Sequence, residues 1–286
     1  MSSTVYKNVE LERIFKEPKS KNPTVQQEAS RKLYTFLVKH NEYCDYIFDQ
    51  FYDMLESDAK ECKLGCFLAM NKILSVGRET RIVHYVNKFI PAMLKLLSTN
   101  NPDLIAKAAE CLGNLAKAGG SVTAENVEKA LDEAIRWLSK EKKSSKSGSD
   151  TKRYAGVLIL REFCKKLPII TFNKLFDNDS YKCIFAAFRD PRLTVRDTAA
   201  ECINICLNLI SERESKSKRN LLVLIYSEVK LAFRDEDPNY QHSALTVLTS
   251  ILSSKGSVSD ILKVSGNIFV KLHVCRMKGT RSSTGS

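Results

Sequence analysis

Cys62 and Cys66 stand four residues apart, and so do Cys202 and Cys206. On a helix that spacing puts two thiols on one face, where thiolates can hold a soft metal ion. A closed site needs two more ligands. No Cys-x-x-Cys accompanies either pair, and no histidine lies close to them in sequence. The four histidines, His40, His84, His242 and His273, are far apart, so a metal or catalytic cluster could assemble only in space. Reduced cysteine is among the most buried residue types, and both pairs read as core positions. No metal or cofactor is expected. A second chemical signal is the tripeptide Phe188-Arg189-Asp190, repeated as Phe233-Arg234-Asp235. It looks like a kinase catalytic loop but lacks the downstream Asn that would hold a metal. No Gly-rich loop, His-Arg-Asp, Asp-Phe-Gly, Walker loop or His-Glu-x-x-His is present. No catalytic residue is expected, and the chain does not read as an enzyme.

Charge is the next candidate. The 286 residues carry 45 Lys and Arg against 33 Asp and Glu, a formal +12. That balance invites a nucleic-acid partner. Its placement argues against one. Residues 140–153, 212–219 and 263–286, 46 in all, hold +11 of it. The remainder is close to neutral, so a basic stripe along a structured face is not expected. The Ser/Lys-rich stretch 140–152 reads as a mobile solvated loop, with phosphorylation or docking to an acidic surface as the functional alternative. Trp137, late in an amphipathic segment, could anchor a partner but reads as core. Low Gly and Pro content disfavours a turn-rich β protein. No apolar run approaches the roughly 20 residues of a membrane span, and the N-terminus does not read as a signal peptide. A cytosolic or nuclear setting with reduced thiols follows as the expectation.

The elements that would position these residues recur. An Asn/Asp-Pro turn followed by an Ala-containing amphipathic segment appears at Asn22-Pro23, Asn101-Pro102, Asp190-Pro191 and Asp237-Pro238. Copies without proline begin at Asp58 and Asp150. The starts near 22, 58, 101, 150, 190 and 237 bracket the period of about 40–47 residues of HEAT and armadillo arrays. Ala187-Phe188-Arg189-Asp190 returns literally as Ala232-Phe233-Arg234-Asp235. The proline suits the first helical turn, and the Asp or Asn before it can cap the helix. Residues 195, 199, 202, 203, 206, 209 and 210 form a helical apolar stripe. The expected fold is an all-α solenoid of HEAT/armadillo-type helical hairpins, about six units, each burying its apolar face on its neighbours. In the second unit, helices over about 60–76 and 81–97 should be joined by a turn at Gly77. Gly119-Gly120 should end the helix of 103–118, with Ser121 or Thr123 capping the next and Glu125 in its first turn. Residues 1–21 read as a helical lead-in, 22–256 as the solenoid, and 257–286 as an atypical basic segment, partly disordered.

Lys152-Arg153-Tyr154-Ala155-Gly156-Val157-Leu158-Ile159-Leu160-Arg161-Glu162 resembles a helix of target of rapamycin (TOR) kinases. Further matches stand in order around it. These are Asp58 to Leu74, Asn101-Pro102 through Gly120, Thr123-Ala124-Glu125 with Ala134 to Leu138, and Asp190-Pro191 through Glu214. The resemblance covers about 22–255. It implies the non-catalytic N-terminal HEAT region of a large Ser/Thr kinase related to phosphatidylinositol 3-kinases. It also implies a scaffold role in nutrient and growth signalling, with a raptor-like adaptor and the remainder of a TOR complex as partners. The kinase domain of that family lies far downstream, so no catalytic residue carries over. A cytoplasmic location is implied, with a position peripheral to endomembranes or in the nucleus left open. The chain is expected to be the start of a longer, cut or split solenoid, since Ser259 to Val270 would make a poor polar cap. Two rivals share the composition: a stand-alone HEAT/armadillo adaptor or transport factor, and a nucleic-acid-associated repeat protein.

Overall fold

A computed structural model describes residues 9–75, 84–139, 149–212 and 215–253. Gly77, His273, residues 140–148 and the segment 257–286, each of which figures in the sequence expectations, lie outside them. The described residues form thirteen α-helices and no strand. A short helix α1 (Val9–Lys16) and a 3-10 turn (Glu17–Lys19) lead in. A first row of long helices follows: α2 (Pro23–Lys39), α4 (Lys60–Ser75), α6 (Pro102–Gly119), α8 (Ser149–Lys166), α11 (Leu193–Ser211) and α13 (Pro238–Ser253). Each packs on the next in that order. Between them lie the second-row helices α3 (Cys44–Glu56), α5 (Val86–Leu97), α7 (Ala124–Ser139), α9 (Pro168–Phe176), α10 (Lys182–Ala187) and α12 (Ser215–Ala232). The chain is an all-α solenoid with six openings, each within a few residues of its expected start.

The hairpins pair differently from the simplest reading. α3 packs on α4, α5 on α6, α7 on α8 and α12 on α13. These partners are the helices on either side of a unit opening, across unit boundaries, although α8 also packs on α9 and α11 on α12 within their units. This is how a repeat that cannot bury its own face gains stability from its neighbour. Small residues sit where the first-row helices cross. Ala29, Gly65-Cys66, Ala108-Ala109, Ala155-Gly156, Ala199-Ala200 and Ala244 are all buried.

Asn22, Asn101 and Asp237 behave as the turn chemistry requires. Each side chain accepts backbone N–H groups of the following turn, from Thr24 at 2.9 Å, from Asp103 and Leu104 at 3.2 Å, and from Asn239 at 2.9 Å. Asp190 does not cap α11. That helix opens three residues later, with Arg192 at the cap position and no side-chain cap. Asp190 instead shares its register with Asp235, as the literal repeat implies. The Oδ1 of each accepts the backbone N–H two residues on, and the carbonyl of each accepts the side chain six residues on, Arg196 or Gln241. Ser20, with Asn22 and Gln26, repeats both contacts.

Three other local expectations change. Thr123 is fully buried and faces back, donating to the carbonyls of Ala116 at 3.0 Å and Gly120 at 2.7 Å. It ties off the end of α6 and does not cap α7, while Gly120 takes the left-handed φ of 52° that the turn demands. Thr123→Val keeps the shape and removes the buried hydroxyl that the two carbonyls share, while that of Ala116 keeps the Gly120 N–H, so a loss of about 1 kcal/mol is expected in urea unfolding. Residues 149–152 are the first turn of α8 and not loop. The fourth unit carries two short second-row helices in place of one. Leu167-Pro168 breaks the chain after α8, and Asp179 turns it again with φ 55°.

Candidate protein-interaction faces

The residues singled out for chemistry are mostly core. Cys66, Cys202 and Cys206 are buried, and Cys62 is half-buried. The Cys66 thiol donates to the carbonyl of Phe51 at 3.3 Å, and the Cys202 thiol to that of Val157 at 3.8 Å. Cys164 meets Cys206 across α8 and α11, and their mutual hydrogen bonding together with burial pushes the Cys206 thiol well up. Burial alone pushes Cys183 up to about 12. Raised thiols are poor nucleophiles and poor metal ligands. Among the described residues no group of three or more His, Cys, Asp or Glu could hold a metal ion. His40 lies beside Phe36 with ring centroids 4.7 Å apart, while His84 and His242 are exposed. Trp137 is buried in α7.

The Phe-Arg-Asp copies are joints between units. Asp190 is buried, and its Oδ2 accepts Arg153 Nε from α8 at 2.8 Å. Its Oδ1 accepts Arg192 Nε at 2.9 Å, and Arg192 also reaches the carbonyl of Asp150. One carboxylate thus gathers two guanidinium groups and locks α8 to the opening of α11. In the second copy Asp235 receives Arg189, whose guanidinium lies 3.9 Å over the Tyr240 ring. Phe in place of His, the missing downstream Asn and the 45-residue return all set this joint apart from a catalytic loop, because catalytic residues are not duplicated at repeat spacing.

The two rows of helices differ in their polar surface. On the second row, Lys88 pairs with Asp49, Lys95 with Glu56, and Lys174 with Glu128 and Asp132, so neighbouring helices neutralise one another. The first row carries a polar ladder. Lys72 lies over the Tyr34 ring at 5.6 Å, Asn114 donates to Asn71 at 3.0 Å, and Lys165 pairs with Glu201 at 2.6 Å. Asn71 Nδ2, Asn204 Oδ1 and Arg196 Nε are buried there without a protein partner. Sequence reasoning missed the ladder because Asn71 and Asn114 match only once the first-row helices are aligned.

No family model matches the chain. It is 24% identical over 255 residues to the serine/threonine-protein kinase tor1 of Schizosaccharomyces pombe, covering 85% of this chain and 10% of that one. It is 27% identical over 177 residues to the serine/threonine-protein kinase TOR of Arabidopsis thaliana, covering 62% and 7%. The match to TOR2 of Saccharomyces cerevisiae is 22% over 267 residues, covering 86% and 10%. The chain spans about a tenth of the length of these relatives. Among solved structures, a designed armadillo repeat protein in complex with the peptide (KR)4 is 17% identical with a TM-score of 0.42, covering 84% of this chain and 99% of that one. The homologues of this helical-repeat chain are thus TOR-type serine/threonine kinases, of which it corresponds to about a tenth.

Proposed function

We propose that this chain is a non-catalytic protein-interaction scaffold, the N-terminal HEAT arm of a TOR-type kinase or a separate chain that plays that part. It supports complex assembly in growth signalling in the cytoplasm and binds a raptor-like adaptor. The observation that carries this reading is the extent of the match, which runs along 85% of the chain to a TOR kinase. The solenoid form agrees with it, since stacked repeats build extended binding surfaces in preference to reaction centres. Leu224 and Leu231, seven apart on α12, and Leu245 on α13 are exposed at the last described helices. No described helix is long and apolar enough to cross a membrane.

The test is affinity purification of the tagged protein from its native cells. A TOR-type kinase domain and a raptor-like adaptor are expected in the eluate, in the same chain or beside it. The reading fails if neither is recovered and the purified chain instead binds generic DNA or RNA with an affinity that falls steeply with salt.

A further inference from the structure

One corner of the solenoid concentrates exposed aliphatic side chains. Val122 is 51% exposed, Ile169 68% and Ile170 52%. Val122 belongs to the 3-10 turn that carries the chain from α6 into α7, and Ile169 and Ile170 to the first turn of α9, directly after α8. The two turns lie at the same edge. Thr151 touches Asn100 where α8 and α6 begin, and a Cβ placed on Gly113 would meet Glu162 Cβ at 2.9 Å and Lys166 Cγ at 3.4 Å near their ends. α6 and α8 therefore run parallel and finish side by side. On the second row Lys174 reaches Glu128 at 3.2 Å and Asp132 at 2.7 Å. α7 also packs on α8, where Gly156, early in α8, faces Ala134 and Leu138, late in α7, so α7 starts beside the end of α8 and brings Val122 toward Ile169 and Ile170.

The charge at this corner is net positive, by one. Glu125 is paired with Lys129, while Glu128 and Asp132 share the single Lys174 and leave one negative charge. Lys117, in the last turn of α6, and Lys166, at the end of α8, make no ion pair among the described residues. Lone exposed aliphatics are ordinary on a soluble surface. Three at one corner, flanked by two unpaired lysines, are the pattern of an apolar anchor site with a basic rim.

Resting on the scaffold reading above, we propose that this corner docks a partner protein through a short segment bearing an aliphatic or aromatic anchor flanked by Asp or Glu. The anchor covers Val122, Ile169 and Ile170, and the acidic flank meets Lys117 and Lys166. A protein segment fits better than an anionic membrane, because lipid recognition uses clusters of about four to eight basic residues or a helix lying flat in the interface.

The probe is a display library of random 16-residue peptides, selected on the purified full chain and counter-selected on the variant Val122→Ser, Ile169→Ser, Ile170→Ser. All three positions are exposed, and an unchanged melting curve verifies the variant's fold. The expected consensus is an aliphatic or aromatic residue between acidic ones. Peptides carrying it should bind about tenfold weaker to the triple variant and to Lys117→Glu, Lys166→Glu, and weaker at high salt. The proposal is overturned if no selected peptide is lost on the triple variant, if the consensus lacks acidic residues, or if phosphatidylserine vesicles bind the corner while peptides do not. An inert corner leaves co-purification of a TOR-type assembly untouched, and failed co-purification leaves a recovered consensus standing, so the two readings fail separately.

Discussion

Replacing Asp190 with alanine is expected to destabilise the chain by about 3–5 kcal/mol, because it strands a buried guanidinium. Arg153 is 8% exposed, and its Nε has Asp190 Oδ2 as its partner at 2.8 Å. Asp150, on the exposed side, engages only Nη2. The same truncation frees Arg192 from the turn that opens α11. Burial pushes the Asp190 carboxyl up, but hydrogen bonds from Arg192 and the charges of Arg192 and Arg153 outweigh it, and the group titrates below the ordinary aspartate range. A folded pKa below the unfolded one gives stability that is present above the unfolded value, about 4, and lost as pH falls through the folded value. The parent chain should therefore lose this joint in acid, below about pH 4, while Asp190→Ala has nothing left to lose there. Urea unfolding followed across pH measures both effects. Equal urea midpoints for parent and variant at neutral pH would show that the joint contributes nothing.

In a solenoid such a loss is local before it is global. Each unit contacts its neighbours only, so stability is close to a sum of unit and interface contributions. Amide exchange should show protection falling first at α8 and α11, which Asp190 joins, with the units from α2 to α6 following later. A single two-state midpoint would hide that order.

The same joint marks the limit of what the residues alone convey. Asn22-Pro23, Asn101-Pro102 and Asp237-Pro238 were legible as helix starts, since the cap and its targets lie within three residues. The apolar stripe of α11 was legible for the same reason. Asp190-Pro191 looks identical at that range. Its register is that of Asp235 and Ser20, set by the N–H two residues on and the side chain six residues on, and no local signal reports its further partner Arg153, 37 residues earlier. Thr123 is a second case. Its type suits a cap, but burial beneath α6 turns its hydroxyl toward Ala116. The split of the fourth unit's second row was half legible: Pro168 marks the start of α9, but nothing local marks the positive φ of Asp179 before α10, where Tyr181 stacks on Phe176 at 5.0 Å. The interaction faces were the least legible. A ladder such as Asn71–Asn114 exists only between helices, and exposure at Val122, Ile169 and Ile170 is set by which turns share an edge.

Gly65→Ala should unseat the first turn of the solenoid, at a net cost of about 2–4 kcal/mol. An added Cβ would stand 2.0 Å from the carbonyl oxygen of Pro18 and 2.7 Å from its carbon. Both are backbone atoms, so no rotamer change relieves the contact, and the Glu17–Lys19 turn must move away from α4. Gln26 prevents a free adjustment. Its Nε2 is shared among the carbonyls of Pro18 at 3.1 Å, Ser20 at 2.8 Å and Glu61 at 2.9 Å, which ties the turn and α4 together. Retreat by the ångström or so that the methyl needs stretches the Pro18 and Glu61 bonds past hydrogen-bonding range and leaves buried carbonyls unsatisfied. Alanine's better helix propensity, worth about 1 kcal/mol, offsets only part of this. The loss should be confined to one end. Exchange protection is expected to fall over α1, the Glu17–Lys19 turn and α2, while α8 and α11 keep theirs. If Gly65→Ala instead raises the melting temperature, helix propensity has outweighed the contact, and the close approach of Pro18 to α4 is not what requires glycine at this position.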